Sequence, residues 1–324
     1  MGRGLTPSGE NIRQWLLPPS LNAGESGVTT HDRHCMDREA GTCEWYLDGD
    51  KSKFQEWLQS ESQVLWLYGD GKSPLILVGP TDIFLSWVWE NSDMARSVSR
   101  IFFLQLLIVF SAAMVEKLKE IGICQDVYST AFDAVDIAKS SIAYFYFSFD
   151  PSTIQDPNYF LRAVIAQLCL GDTVHPQLAE TYRNTQGWAA PSYDNLYQTL
   201  VSVVSADEGA HVASRINSGL REKSIFLVLD GLDEIPQDRD KTFKVIRNLI
   251  LLKSSRLRII ITSRWQSSIE AILQQSTMLT EYEIPRTEVE IDIQSYLKAQ
   301  IVDNPRFSPQ VQERICERLS DGGV

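Results

Sequence analysis

Apolar residues along the chain fall into short continuous runs that alternate with stretches of helical spacing. Runs with the length and flanking residues of buried strands lie at 64–68, 142–149, 224–229 and 257–262. Apolar positions with helical spacing lie at 53–59, 111–121, 158–204 and 240–252. Continuous apolar strands separated by helices are typical of a parallel sheet covered on both faces. The pattern therefore predicts an α/β fold with about five strands and with ligand sites at their carboxyl ends.

Both ends of the chain and one internal stretch depart from this pattern. Residues 1–38 are rich in glycine, serine, proline and charge, which predicts a disordered leader. Residues 39–270 form the predicted α/β domain, and 271–324 read as an incomplete helical region. Residues 74–110 hold two apolar stretches without a clean period, so we interpret them as an atypical insertion. The apolar run 101–115 is shorter than a spanning helix requires, and a membrane anchor within 75–115 is kept only as an alternative.

Charge and cysteine content narrow the classes of partner. The net charge is −12 and the pI is about 4.9, which argues against nucleic-acid and anionic membrane partners but leaves room for one local phosphate site. Five cysteines without tight pairing predict a reducing, cytoplasmic location.

His31, His34, Cys35 and Cys43 lie near one another in the chain. We disfavour zinc there, because such a site needs paired ligands at both ends and the sequence shows no second pair.

The sharpest chemical signal is the segment 225–234, IFLVLDGLDE. Asp230 follows the apolar run at the carboxyl end of a predicted strand, and Asp233 and Glu234 follow Gly231. Three carboxylates within five residues repel one another unless a cation is present, and Mg²⁺ favours one or two carboxylates with water and phosphate oxygens. Phosphoryl chemistry uses one group to hold the metal shell and another to orient or deprotonate water. The alternative is a solvated acidic turn.

A second strand also ends in polar residues. The run at 257–262 ends with Thr262 and continues into Ser263 and Arg264. A polar pair and an arginine at the carboxyl end of a strand can face a γ-phosphate, since arginine neutralises its charge bidentately. A surface arginine after a strand is the alternative interpretation.

The order of several segments resembles a known family. These segments are GTCEWYL (41–47), FQEWL (54–58), VLWLYG (64–69), AYFYFSFD (143–150), FLVLDGLDEI (226–235) and IIITSR (259–264). They resemble fungal NACHT-type NTPases, a group within the STAND class of signalling P-loop ATPases, whose N-terminal module is also called nephrocystin-3-like. The resemblance covers roughly 39–73 and 111–300. It implies an ATP- or GTP-dependent switch that uses Mg²⁺ and controls self-association or binding of protein partners, with hydrolysis that is slow at most.

The resemblance also assigns roles to the acidic block and the arginine. It implies that Asp230 holds Mg²⁺ through the metal's shell. It implies that Asp233 and Glu234 position the attacking water and that Arg264 senses the γ-phosphate. These four residues are therefore the candidate metal and catalytic residues.

The phosphate-binding loop departs from the family pattern G-x-x-x-x-G-K-[ST]. Gly69, Gly71, Lys72 and Ser73 match its end, with Lys72 as the loop lysine and Ser73 as the Mg²⁺ hydroxyl. Trp66 stands where the first glycine is needed, so the loop is about three residues too short to wrap a phosphate chain.

The stretch after the loop is also unusual, because 74–110 separates it from the helix that should follow at once. Gly-Lys-Ser can be encoded by GGTAAGTCN, which contains a splice-donor sequence, so a retained intron is one explanation. The alternative function is a pseudo-NTPase scaffold that has lost nucleotide binding. For this alternative, the short loop as written predicts no measurable ATP binding.

Overall fold

The predicted strands come together in one sheet in the computed structural model. Strands β1 (Val64–Gly69), β2 (Ser141–Tyr146), β3 (Ile225–Asp230), β4 (Leu257–Arg264) and β5 (Leu279–Glu283) are all parallel and lie in the order β2-β3-β4-β1-β5. The predicted α/β fold with a parallel sheet is confirmed. The register places Leu67 of β1 beside Thr262 of β4, and Tyr146 of β2 beside Asp230 of β3.

The structure describes most of the sheet-forming domain. The described residues are 9–17, 27–36, 40–48, 52–69, 109–121, 141–148, 157–169, 174–185, 189–205, 224–235, 239–252 and 256–285, with short pieces at 38, 187, 254, 287–289, 291–292, 295 and 310. Residues 70–108 lie outside this set, and with them most of the predicted insertion. No helix among the described residues is long and apolar enough to cross a membrane.

The strand order places the carboxyl ends of β3, β4 and β1 side by side. The chain passes from β1 over to β2 at one edge, returns through β3 and β4, and then crosses β1 to reach β5. Connections therefore leave β1 and β4 in opposite directions. Open parallel sheets bind ligands outside the carboxyl ends of the strands at such a point.

Helices cover both faces of the sheet. They are α1 (Gly9–Leu16), α2 (Gly27–Met36), α3 (Glu44–Leu47), α4 (Lys53–Gln59), α5 (109–121), α6 (Pro157–Cys169), α7 (Pro176–Asn184), α8 (Tyr193–Ser205), α9 (Arg239–Leu251) and α10 (Ser267–Leu273). Val64 and Trp66 of β1 belong to the apolar cluster that contains α1, α6, α8, α9 and α10. Leu65 and Leu67 belong to the opposite cluster with α3, α4 and α5, because successive strand residues point to opposite faces.

The two ends of the domain differ from the sequence prediction. Helices α1 and α2 lie inside the stretch predicted as a disordered leader. Ile12 and Leu16 of α1 are fully buried, and Arg162 of α6 donates to the Leu16 carbonyl at 2.9 Å. Strand β5 lies where the sequence predicts the start of a helical region. Its residues LTEYE are half-buried or exposed at the sheet edge, so they form no continuous buried apolar run.

The GTCEW segment starts α3 and is tied to a distant carboxylate. Cys43 has a left-handed backbone (φ 66°), and its amide donates to Asp292 Oδ2 at 2.9 Å. The Trp45 indole donates to the same oxygen at 3.0 Å. Asp292 is buried, which raises the pKa of its carboxyl. This segment therefore joins the start of the domain to residues beyond β5.

Candidate functional site

Asp230 ends β3 with its side chain buried at the carboxyl edge of the sheet. Its Oδ1 accepts hydrogen bonds from Ser111 Oγ of α5, at 2.5 Å, and from Thr262 Oγ1 of β4. The two hydroxyls lie 3.1 Å apart. Asp230 Oδ2 is buried and has no hydrogen-bond partner among the described residues. Oδ1 is thus held by two hydroxyl groups, while Oδ2 contacts no hydrogen-bonding group of the described segments.

The surroundings of Asp230 make its negative charge costly. Burial raises the pKa of Asp230 to about 6, although the hydrogen bonds from Ser111 and Thr262 act to lower it. The nearby Asp233 carboxylate adds to the rise. At neutral pH the group is therefore mostly ionised and carries a desolvation cost. A cation beside Oδ2 would remove that cost and supply the missing partner.

Gly231 turns the chain so that the following acids fold back into the protein. Its φ is +68°, and a Cβ there would lie 3.0 Å from the Phe147 carbonyl oxygen. Glycine tolerates both conditions, because it has no side chain and adopts a left-handed backbone at low cost. The next three residues form a 3₁₀ turn, Leu232–Glu234, in which Asp233 and Glu234 are both buried. The alternative of a solvated acidic turn is therefore not what the structure shows.

Asp233 is bound to Arg264 through both of its carboxylate oxygens. Oδ1 accepts from the Arg264 backbone amide at 2.9 Å, and Oδ2 accepts from Arg264 Nε at 2.5 Å. The Asp233 side chain is entirely buried, whereas that of Arg264 is 20% exposed. In this arrangement Asp233 orients the arginine. The proposed roles of Asp233 and Glu234 with water and of Arg264 with phosphate stay predictions.

The end of β1 defines where a phosphate-binding loop can begin. Trp66 lies inside the strand, fully buried, and its Nε1 donates to Ser263 Oγ at 2.9 Å. Gly69 is the last residue of β1, beside Arg264 in register, and its carbonyl accepts from the Trp265 amide at 3.3 Å. A loop after this strand therefore starts no earlier than Gly69. The other predicted loop residues, Gly71, Lys72 and Ser73, lie outside the described residues.

The sequence missed the role of Ser111. It predicts a helix at 111–121 and assigns the serine no chemistry, while the structure places its hydroxyl on Asp230. The available signal was a serine in an apolar turn, F-S-A-A-M, where each of these five residues proves buried. Thr262 and Ser263, predicted to face phosphate, instead bind Asp230 and Trp66 respectively.

Comparison with known families supports the nephrocystin-3-like part of the resemblance. Residues 127–264, which are less than half of the chain, match the family model described as Nephrocystin 3, N-terminal. The chain is similar to that region. The matched stretch begins before β2, runs to the end of β4 and contains Asp230, Asp233, Glu234 and Arg264. It supports a NACHT-like module with a P-loop-like α/β sheet. A search of curated proteins found no match.

Proposed function

We propose that this chain is the nucleotide-binding oligomerisation module of a STAND-type signalling NTPase, with ATP or GTP and Mg²⁺ bound at the carboxyl edge of β1, β3 and β4. The observation that carries this proposal is the buried Asp230 carboxylate, whose Oδ2 has no hydrogen-bond partner in the part of the chain that the structure describes, at the point where the sheet connections diverge. An anionic, unpaired oxygen in the interior is expensive to maintain. Its presence is explained if a cation completes the site.

The residues around Asp230 suit Mg²⁺. The carboxylate and the Ser111 and Thr262 hydroxyls are hard oxygen donors, and Mg²⁺ characteristically uses one or two carboxylates with water and phosphate oxygens. When bound, Mg²⁺ would neutralise charge on the β- and γ-phosphates. Ser111 and Thr262 fix Oδ1, so the orientation of Oδ2 is set before any ligand arrives.

The Asp233–Arg264 pair offers a way for the protein to respond to phosphate. Asp233 holds Arg264 at the carboxyl end of β4, next to the acidic turn. A γ-phosphate competes with Asp233 for the guanidinium, because both are anions that arginine binds bidentately. In the proposed switch Arg264 turns towards the phosphate, which frees the Asp233 carboxylate to orient water together with Glu234.

The alternative is a pseudo-NTPase scaffold that keeps the fold and has lost nucleotide binding. The observation that favours it is Trp66, which lies inside β1 at the position where the loop pattern needs its first glycine. With the strand continuing to Gly69, few residues precede Lys72. Backbone amides of a full loop supply much of the contact to phosphates, so a short loop weakens binding.

Calorimetric titration of the purified chain with ATP and with GTP, in the presence of Mg²⁺, distinguishes the two functions. The first predicts saturable binding that is lost in Asp230→Asn, which keeps the shape of the side chain, and kept in Asp240→Asn, an exposed acid at the start of α9. Light scattering with and without the bound nucleotide then tests the switch by the mass of the particle. If the chain binds neither ATP nor GTP, the result favours the pseudo-NTPase scaffold instead.

A further inference from the structure

A second cluster of ligand-type side chains lies away from Asp230, between α2 and α5. His31, Cys35 and Glu116 place one nitrogen, one sulfur and one oxygen within 4.8 Å of one another. His31 and Cys35 are four residues apart on α2 and therefore share one face of the helix. Glu116 comes from α5, 85 residues away from His31 in the chain.

The His31 Nε2 atom is approached by groups with opposite requirements. Glu116 Oε1 lies 2.8 Å away and needs a proton on Nε2, whereas Lys119 Nζ lies 3.3 Å away and needs its lone pair. A neutral imidazole nitrogen cannot meet both demands. The His31 side chain is 2% exposed, so water has little access to resolve the conflict. A metal cation in place of the ammonium would accept the lone pair and the carboxylate oxygen together.

The other ring nitrogen is positioned as in metal-binding histidines. His31 Nδ1 lies 2.7 Å from the Tyr146 hydroxyl, and the Tyr144 ring packs on the imidazole at 4.5 Å between centroids. A proton on Nδ1 donated to Tyr146 leaves the lone pair on Nε2, where it faces Cys35 and Glu116.

The distances are close to those of a tetrahedral metal centre. With zinc bond lengths, the nitrogen and sulfur ligands lie about 3.6 Å apart and the nitrogen and oxygen ligands about 3.3 Å apart. His31 Nε2 is 3.5 Å from Cys35 Sγ and 2.8 Å from Glu116 Oε1, so of these two pairs only the second must open. Glu116 is 41% exposed and Lys119 is 40% exposed, so the carboxylate can shift and the ammonium can swing out to solvent.

We propose that His31, Cys35 and Glu116 bind a divalent metal ion of the zinc class, which fastens α2 to α5. The mixed nitrogen, sulfur and oxygen donors favour zinc over Mg²⁺, which prefers oxygen alone. Binding forms three protein–metal bonds, releases the Cys35 thiol proton to solvent and displaces Lys119 from Nε2. Solvent water takes the fourth position. The sequence did not predict this site, because its third ligand, Glu116, lies on another helix. Cys43, which is near His31 in the chain, lies beside Asp292 in the structure.

Cobalt(II) titration of the chelator-treated chain tests this site, because a thiolate ligand produces a near-ultraviolet charge-transfer band. We expect one cobalt per chain, a band that disappears in Cys35→Ser, and displacement of cobalt by zinc. Zinc affinity, measured by competition with a chelating indicator, should fall at least tenfold in Cys35→Ser and in Glu116→Gln. Met36→Gln, at an exposed position of the same helix, should leave it unchanged.

Lys119→Met provides a test in the opposite direction. It replaces no ligand and removes the competing ammonium, which also pairs with Glu116 Oε1 at 2.7 Å, so zinc affinity should rise several-fold. If Cys35→Ser or Glu116→Gln does not fold, the zinc affinity of Lys119→Met alone decides whether the proposal holds. Absence of the band in the wild-type chain, a band that survives in Cys35→Ser, or zinc affinity that Lys119→Met leaves unchanged or weakens would overturn the proposal.

Discussion

Ser111 and Asp230, which are 119 residues apart in the chain, are joined by a 2.5 Å hydrogen bond at the carboxyl edge of the sheet. The bond links α5, which follows the predicted insertion, to the strand that carries the acidic block. It also leaves Oδ2 as the oxygen of the Asp230 carboxylate that finds no partner within the described ranges. The position of α5 and the shape of the candidate site are therefore connected.

Ser111→Ala should destabilise the protein, because it removes one of the two hydroxyls that satisfy a buried carboxylate. A hydrogen bond to a charged group contributes about 1.5–3 kcal/mol, and we expect a loss of stability in that range. Urea unfolding followed by circular dichroism measures it. Ser267→Ala, at an exposed position of α10, is the matched control and should change stability little. Equal stabilities of the two variants would contradict the role assigned to Ser111.

Asp230→Asn should change how stability depends on pH. The pKa of Asp230 is about 6 in the folded chain, above its unfolded value of about 3.9. The protonated side chain therefore favours folding below about pH 4, and this contribution is lost as the pH rises through 6. Without bound metal, Asp230→Asn should be more stable than the wild type above pH 7, by up to about 3 kcal/mol, and the difference should shrink towards pH 4. Parallel stability profiles of the two proteins across this range would show that burial does not raise this pKa.

The Asp233–Arg264 pair should respond unequally to loss of its two members. Arg264→Gln leaves a fully buried carboxylate without its cation, which costs about 3–5 kcal/mol for buried pairs. Asp233→Asn leaves an arginine that can reach solvent, so its cost should be smaller. The double variant should lose less stability than the sum of the single ones. Equal single losses that simply add would indicate two independent side chains.

Arg258 should not tolerate replacement by lysine. Its guanidinium stacks on the Trp57 ring at 4.0 Å and donates to the carbonyls of Leu58, Ser62 and Trp57. These hydrogen bonds hold the end of α4 in place. A lysine ammonium cannot reproduce this planar fork, so we expect Arg258→Lys to lose about 1–3 kcal/mol. Arg247→Lys, at an exposed position of α9, should have little effect in the same unfolding assay.

The sequence predicted β1 to β4 because strands buried on both faces leave no polar interruptions. The ends differ by a few residues, and Asp230 is the last residue of β3 rather than the residue after it. Strand β5 was missed because it lies at the sheet edge, where glutamates alternate with half-buried residues. Burial of α1 depends on contacts with Arg162 and with the apolar surface of α6. The pattern of residues within 1–38 does not reveal these contacts, because α6 is distant in the chain.

The candidate site was partly predictable for a similar reason. Asp230 follows an apolar run directly, so its place at the sheet edge could be inferred from local order. The hydrogen bond from Ser111 depends on packing between segments more than a hundred residues apart. The pairing of Asp233 with Arg264 depends on neighbouring β3 and β4 and on the turn at Gly231. Spacing along the chain does not encode these contacts.

The Mg²⁺ dependence of nucleotide binding tests the central claim most directly. ATP affinity of the wild-type chain and of Asp230→Asn is to be measured with Mg²⁺ and with a chelator. If Asp230 Oδ2 holds the metal shell, Mg²⁺ should tighten ATP binding at least tenfold in the wild type and have little effect in Asp230→Asn. The same Mg²⁺ effect in both proteins, or no ATP binding under either condition, would contradict a nucleotide site built on Asp230.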